Sequence, residues 1–130
     1  MKIAILTLGT RGDVQPYAVL GQALKLRGHQ VTLSTAKNFE QLVKSYDIDF
    51  VPVEADYQAI LQSEEGKKIM KGNPFAIRRN LEKWIYPLIR QSLTEFYNLA
   101  KESDRVVYHV KTMADSFADL FPEKMIRNQD

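Results

Sequence analysis

The sequence predicts an α/β fold in which helices cover both faces of a doubly wound parallel sheet. An apolar, partly β-branched run typical of a buried strand occurs at residues 2–8, and further strand-like runs occur at 31–35, 50–53 and 105–110. Segments with apolar residues at helical spacing separate these runs. A turn with two glycines, at residues 9–16, joins the first strand to the first helix. The alternation predicts four strands in the order 3-2-1-4.

The first crossover is predicted to run from the strand at 2–8 through a helix at 16–27 to the strand at 31–35. Pro16 suits the first turn of a helix, where its missing N–H is not needed. Gly28 follows the last apolar residue of the helical pattern and ends the helix. This unit requires a right-handed connection between two parallel strands.

The second crossover is predicted to contain a short helix at 39–46. Asn38, with Gln41 three residues later, resembles a capping box at the start of that helix. The strand at 50–53 contains Pro52, which cannot donate a hydrogen bond to a neighbouring strand. We therefore expect either that this third strand lies at an edge of the sheet or that its pairing ends early.

The middle of the chain is predicted to be mostly helical. Residues 54–73 suggest one short helix, with turns at 64–66 and 71–73. A long helix with a wide apolar stripe is predicted at 74–102. Pro87 lies inside it, so we expect a kink or break just before that residue.

The last part of the chain is predicted to hold the fourth strand, at 105–110, and one more helix, at 113–121. Thr112 or Asp115 is a candidate cap for this helix. Residues 123–130 are polar and carry no periodic pattern, so no further element is predicted. We therefore expect a sheet that is incomplete at its C-terminal end, with an uncovered edge at the fourth strand.

Length and composition indicate one domain, 1–130, of an ordinary globular protein. The chain has 130 residues, 45% of them hydrophobic and 26% charged, with a net charge of +2 that does not suggest nucleic-acid binding. Cysteine is absent, and the two histidines, His29 and His109, are far apart, so no zinc spacing is present. No run approaches the roughly 18 apolar residues of a membrane span, and no signal peptide is evident. We expect a cytoplasmic location.

The strand-to-helix turn at 9–16 is the candidate site, because ligands of open α/β sheets bind at the carboxyl ends of strands. Asp13 has two interpretations: a helix cap, or a general base that accepts a proton from a substrate hydroxyl. Arg11 is a surface residue, a partner for Asp13 or, as the alternative that the pattern favours less, a phosphate ligand. His109, at the end of the fourth strand, is either a packed core residue or a member of the site.

A dinucleotide-binding module is an alternative that the pattern disfavours. The turn is neither G-x-G-x-x-G nor a P-loop. A dinucleotide site also requires an acidic residue after the second strand, whereas this chain has none between Ser34 and Glu40. Lys37 is the one residue there suited to a ribose phosphate.

A basic stretch with interleaved aromatic residues offers a third interpretation, contact with an anionic membrane surface. The ordinary interpretation is the solvated face of a helix whose aromatic residues belong to the core. Between residues 67 and 90 the only acidic residue is Glu82, and the basic residues are Lys67, Lys68, Lys71, Arg78, Arg79, Lys83 and Arg90.

The opening sequence MKIAILTLGTRGDVQP, followed by LGQALKLRGHQV, resembles the start of GT-B nucleotide-sugar glycosyltransferases. It is most similar to the group that holds the sterol and antibiotic glycosyltransferases, which share a G-[ST]-R-G-D-x-x-P turn. The third strand at 50–53 also fits. After residue 54 the resemblance is one of layout only.

This resemblance implies a Rossmann-like N-terminal domain that holds the acceptor, facing a C-terminal domain that binds most of the nucleotide sugar, a co-substrate. No metal or other cofactor is implied. Asp13 corresponds to the candidate general base of an inverting transfer to a hydroxyl of a lipid, sterol or natural product. The residues expected to line the acceptor cleft are Gly9, Thr10, Arg11, Gly12, His109 and Thr112.

The donor half of such an enzyme is not found in these 130 residues. Because bringing donor and acceptor together supplies much of the catalysis, we expect the isolated chain to transfer no sugar. We expect it to be the N-terminal part of a longer enzyme, with the missing donor domain and a small hydroxylated acceptor as its partners.

Overall fold

A computed structural model of the chain describes residues 1–54, 57–109, 112 and 114–128. Five parallel strands form one sheet in the order β3-β2-β1-β4-β5. Their bounds are β1 Lys2–Leu6, β2 Gln30–Ala36, β3 Asp49–Val53, β4 Arg105–His109 and β5 Met125–Asn128. The predicted order of the first four strands is confirmed, and β3, which carries Pro52, lies at an edge as predicted.

Helices occupy the connections between the strands. The α-helices are α1 Arg11–Leu26, α2 Glu40–Lys44, α3 Tyr57–Gln62, α4 Glu64–Ile69, α5 Pro74–Asn80, α6 Tyr86–Glu102 and α7 Asp115–Ala118. A 3-10 turn, Lys37–Phe39, precedes α2, and a π-helical turn, Leu81–Ile85, joins α5 to α6.

The sheet has a separate apolar core on each face, as a doubly wound fold requires. Along β1, Ile3 and Ile5 pack in one core with residues of α1 and α2, whereas Ala4 and Leu6 pack in the other with Phe96 of α6. This alternation follows from the two-residue repeat of a strand, and it confirms the predicted two-sided packing.

Helix α1 begins at Arg11, five residues earlier than the predicted start at Pro16. Thr10 is the N-cap, and Asp13 accepts a hydrogen bond from the Thr10 backbone N–H, which stabilises an early start. Pro16 therefore lies inside the helix. Its only missing intrahelical bond is the one to the carbonyl of Gly12, in the first turn.

Three predicted details of the connections are wrong. Asn38 does not cap a helix at 39–46: it lies in the 3-10 turn, and α2 spans only Glu40–Lys44. Residues 64–66 are not a turn but the start of α4, which Ser63 caps by accepting a hydrogen bond from the Gly66 N–H. The helix predicted at 113–121 is the shorter α7.

The predicted break before Pro87 is confirmed. The π-helical turn Leu81–Ile85 ends directly before α6, in whose first turn Pro87 lies. Pro87 has no N–H to donate to the carbonyl of Lys83, so the regular pattern is interrupted there.

Strand β5 contradicts the prediction that residues 123–130 form no element. Val106–His109 of β4 pair with Met125–Asn128, so β4 is an inner strand and not an uncovered edge. The segment escaped prediction because an edge strand needs few apolar residues, and only Met125 and Ile126 are apolar here. Val110 and Met113, included in the predicted strand and helix, lie outside the described residues.

Candidate functional site

The site is built around the turn from β1 into α1. Gly9 has φ +128°, a backbone conformation that side chains disfavour. Thr10 follows it, and the Thr10 N–H and hydroxyl donate hydrogen bonds to the Asp13 Oδ2 atom at 2.8 Å and 3.1 Å. A Cβ atom at Gly9 would lie 2.2 Å from this oxygen. The glycine therefore makes room for the carboxylate.

Further hydrogen bonds tie the start of α1 to the sheet. The Thr7 hydroxyl, which is buried, donates to the Asp13 carbonyl at 3.2 Å, and the Thr7 N–H donates to the Ser34 carbonyl at 3.1 Å. The Gln15 amide donates to the Tyr46 hydroxyl at 3.1 Å, which connects α1 to the segment after α2. These contacts fix the position of the Asp13 backbone relative to β1 and β2.

Asp13 also lines a cleft of about 380 Å³ beside α1. The cleft is bounded by two successive turns of the helix and the end of β5, through Gly12, Asp13, Pro16, Tyr17, Leu20 and Asn128. The Asp13 side chain therefore has the contacts of a helix cap and also borders a cleft, as a general base would. Neither contact tests whether Asp13 acts as a base.

His109 and Thr112 lie beneath this cleft. The His109 ring is 4% exposed and meets the edge of the Tyr17 ring at a centroid distance of 6.0 Å. Thr112 is fully buried, and its hydroxyl donates to the His109 carbonyl at 2.7 Å. Both residues support the site from behind in this structure, so their contact with an acceptor stays a prediction.

Arg11 is not brought together with Asp13 in the cleft. It is exposed and lines a different groove, between α1 and α2, with Asn38, Phe39 and Leu42. Of the residues predicted to line an acceptor cleft, Gly12 borders the cleft beside α1, Thr10 holds the carboxylate and Gly9 leaves space for it.

Sequence reasoning missed Tyr17, Leu20 and Asn128, which also line the cleft. Tyr17 and Leu20 follow Asp13 at spacings of four and seven, so helical periodicity from Asp13 would have found them. Asn128 carried no signal, since its position depends on the pairing of His109 with Asn128 in β5.

The cleft lies at the point where the strand order changes direction, which is where ligands of doubly wound sheets bind. β1 leads to β2 on one side, and the later strand β4 pairs on its other side. Asp13 follows β1, and His109 ends β4. A carboxylate fixed at such a point is suited to accept a proton from a bound hydroxyl group.

A larger and more apolar groove of about 600 Å³ lies on the other face of the sheet, and it shares no lining residue with the Asp13 cleft. Its walls come from α3, α4, the π-helical turn and α6, including Ile60, Lys68, Ile69, Trp84 and Leu88. Ile60, Ile69 and Leu88 pack against the same apolar core as Leu8, the residue before Gly9. One core therefore supports both the groove and the turn.

Within the described part of the chain, no helix is long and apolar enough to cross a bilayer.

Comparison with known proteins connects this chain to sugar-transferring enzymes. Residues 3–114 match the glycosyltransferase family 28 N-terminal domain. A sterol 3-beta-glucosyltransferase of Emericella nidulans is 46% identical over 56 residues, which cover 43% of this chain and 4% of that protein. One from Arabidopsis thaliana is 45% identical over 56 residues, covering 43% of this chain and 9% of that protein.

Solved structures share the fold of this chain. A Streptomyces glycosyltransferase superimposes with a TM-score of 0.62 at 19% identity, covering 98% of this chain and 38% of its own. A calicheamicin glycosyltransferase superimposes with a TM-score of 0.64 at 18% identity, covering 97% of this chain and 31% of its own. These likenesses confirm the predicted Rossmann-like fold. The chain spans less than a tenth of the curated relatives and about a third of these structures.

Proposed function

We propose that this chain, which belongs to the glycosyltransferase family 28 N-terminal domains, binds and orients the acceptor in a sugar-transfer reaction. The observation that carries the proposal is the Asp13 carboxylate, held by two hydrogen bonds from Thr10 at the border of a cleft. The cleft lies at the reversal of strand order, where this fold class binds ligands.

In the proposed reaction Asp13 acts as the general base. Its carboxylate accepts the proton of an acceptor hydroxyl, whose oxygen forms a bond to the anomeric carbon of the sugar. The bond from that carbon to the nucleotide diphosphate breaks, and the configuration inverts because attack and departure occur on opposite faces. The contacts with Thr10 hold the carboxylate in one orientation before the acceptor arrives, which lowers the reorganisation that the reaction requires.

The acceptor class that we propose is a hydroxylated lipid, sterol or natural product. The Asp13 cleft, of about 380 Å³, has the size of a small-molecule site and presents the side chains of Pro16, Tyr17 and Leu20 to an apolar acceptor. The named function of the sterol glucosyltransferase relatives supports an apolar acceptor.

We further propose that the nucleotide sugar is held mainly by a second domain, as the short coverage of the relatives suggests. The isolated chain should then bind the acceptor but transfer no sugar. Incubation with a nucleotide sugar and a hydroxylated sterol tests this, and any turnover by the isolated chain would refute it.

The central experiment compares Asp13→Asn with the parent in the full-length protein. The side-chain oxygen of asparagine can also accept the hydrogen bonds from the Thr10 N–H and hydroxyl, so the substitution removes the base and keeps these contacts. Loss of a general base typically lowers kcat by about 10²–10⁴-fold. We expect such a loss, with acceptor affinity and the midpoint of urea unfolding unchanged.

Asp49→Asn is the matched control, because Asp49 is exposed at the amino end of β3, the opposite end of the sheet from Asp13. It should leave kcat unchanged. An Asp13→Asn enzyme with parental kcat would show that Asp13 is a cap alone, and the proposed role would be wrong.

A further inference from the structure

We infer that Asn128, at the carboxyl end of β5, donates a hydrogen bond to the reacting hydroxyl group of the acceptor. In this arrangement Asn128 orients the hydroxyl group and Asp13 takes its proton. The inference rests on the proposed function, because it concerns the same cleft and the same acceptor. It adds a residue that distinguishes acceptors with an oxygen atom at the reacting position from acceptors without one.

The pairing of β5 with β4 fixes the direction of the Asn128 side chain. Asn128 pairs with His109 in parallel register. Paired residues of neighbouring parallel strands point to the same face of the sheet, about 4.8 Å apart. The His109 ring meets the Tyr17 ring of α1 at a centroid distance of 6.0 Å, so this is the face on which α1 packs. The Asn128 side chain therefore points to the side of the sheet that holds α1 and Asp13.

Asn128 is accessible from the cleft. It is partly exposed, and it lines the cleft of about 380 Å³ together with Asp13 and Leu20. Ile126, two residues earlier on the same side of β5, is 52% exposed, so the residues that the structure describes leave this part of the strand uncovered. An acceptor in the cleft would lie between α1, which carries Asp13, and the end of β5.

The cleft contains a strong hydrogen-bond acceptor in Asp13, and a donor is required to complement it. An ionised carboxylate accepts hydrogen bonds and donates none. Of the other lining residues that the structure describes, Asn128 and Tyr17 are the two whose side chains carry a donor. Tyr17 is 4% exposed, whereas Asn128 is partly exposed. The Asn128 amide is therefore the side-chain donor that a ligand in the cleft can meet.

The proposed reaction leaves one lone pair of the acceptor oxygen available to this donor. A hydroxyl group has one proton and two lone pairs. The proton goes to Asp13, and one lone pair forms the bond to the anomeric carbon while the bond from that carbon to the nucleotide diphosphate breaks. The Asn128 N–H can donate to the second lone pair before and after the transfer. Two contacts orient the hydroxyl group for attack more closely than one does.

Three sterols that differ only at the reacting position separate the two contacts. Cholesterol has a hydroxyl group, which can donate to Asp13 and accept from Asn128. Cholesterol methyl ether can only accept, and cholestene, which lacks the oxygen, can do neither. Each sterol is delivered from cyclodextrin to the 130-residue chain, and its affinity is measured by competition with the fluorescent sterol dehydroergosterol. The ratio of the affinities for the methyl ether and for cholestene reports the donor without involving a proton transfer.

In the parent chain we expect the methyl ether to bind about 2- to 12-fold more tightly than cholestene, the usual effect of one hydrogen bond. In Asn128→Leu and Asn128→Asp this ratio should fall to about one, because neither side chain donates. Aspartate has the shape of asparagine, so its loss of the ratio cannot come from a change in volume. Asn98→Leu is the matched control, because Asn98 is exposed on α6, on the other face of the sheet. Urea unfolding checks that each variant is folded.

A ratio that is unchanged in Asn128→Leu, or that is lost in Tyr17→Phe instead, would overturn the inference. Binding of none of the three sterols would refute both the proposed sterol acceptor and this role of Asn128. A parental kcat in full-length Asp13→Asn, together with a ratio that depends on Asn128, would refute the base and leave the donor standing. Failure of one proposal is thus distinguishable from failure of the other.

Discussion

Replacing Gly9 with alanine tests how tightly the candidate site is built. The residue has φ +128°, and an added Cβ would lie 2.2 Å from Asp13 Oδ2 and 2.9 Å from its Cγ. The backbone strain alone costs about 1–3 kcal/mol. Displacing the carboxylate from Thr10 costs a further ~0.5–2 kcal/mol, the usual contribution of a helix cap to stability. We expect Gly9→Ala to lower the free energy of unfolding by about 2–5 kcal/mol.

Gly28→Ala is the matched control. Gly28 also has positive φ, at +95°, but an added Cβ there meets nothing within 4 Å. It should therefore show the backbone strain without the contact, about 1–2 kcal/mol. Urea unfolding followed by circular dichroism measures both variants.

A double-mutant cycle isolates the contact between Gly9 and Asp13. In an Asp13→Ala background the carboxylate is absent, so Gly9→Ala should cost its backbone strain and only the weaker contact with the remaining Cβ of residue 13, at 3.2 Å. If Gly9→Ala costs as much in this background as in the parent, the carboxylate does not occupy the space over Gly9. The description of the site would then be wrong.

Two further predictions concern the packing of α4 against α3 and a pair of surface charges. An added Cβ at Gly66 would lie 2.2 Å from the backbone oxygen of Ile60, which cannot move aside, so Gly66→Ala should lower the free energy of unfolding by about 1–3 kcal/mol. In urea, Gly12→Ala is its control, because the added methyl group meets nothing closer than 3.7 Å. The hydrogen bond from Lys44 at 2.7 Å, together with its positive charge, lowers the pKa of the Glu40 carboxyl. The stability from this pair is present above the unfolded-state pKa of Glu40 and is lost as the pH falls through the pKa of the folded state. In an NMR titration, Lys44→Met should raise the pKa of Glu40. An unchanged pKa would contradict the pairing.

The strands with continuous apolar runs could be predicted because burial on both faces leaves a clear pattern. β1 and the middle of β4 are of this kind, whereas β2 was indicated by its β-branched residues between two turns, and Pro52 correctly indicated an edge position for β3. β5 could not be predicted from its own residues: it is held by pairing with β4, and half of its residues are polar. The predicted start of α1 at Pro16 is wrong because the cap formed by Thr10 and Asp13 starts the helix at Arg11, five residues before the proline.

For the candidate site, the local part was predictable and the distant part was not. Gly9, Thr10, Gly12 and Asp13 are adjacent in sequence, and their residue types indicated a tight turn with a carboxylate. Asn128 reaches the cleft only because β5 adds to the sheet beside β4. The side on which Arg11 lies depends on the packing of α2 against α1, which composition and spacing do not reveal.

The capping contact of Asp13 has a consequence for how related sequences should be compared. Folding alone favours a residue at position 13 whose side-chain oxygen accepts the Thr10 N–H. Both aspartate and asparagine meet this requirement, so finding either of them is not by itself evidence of a general base. The informative difference is aspartate against asparagine, because only the first can take up a proton from a hydroxyl group. Under the proposed role of Asp13, relatives with asparagine at this position should keep the fold and lack transferase activity.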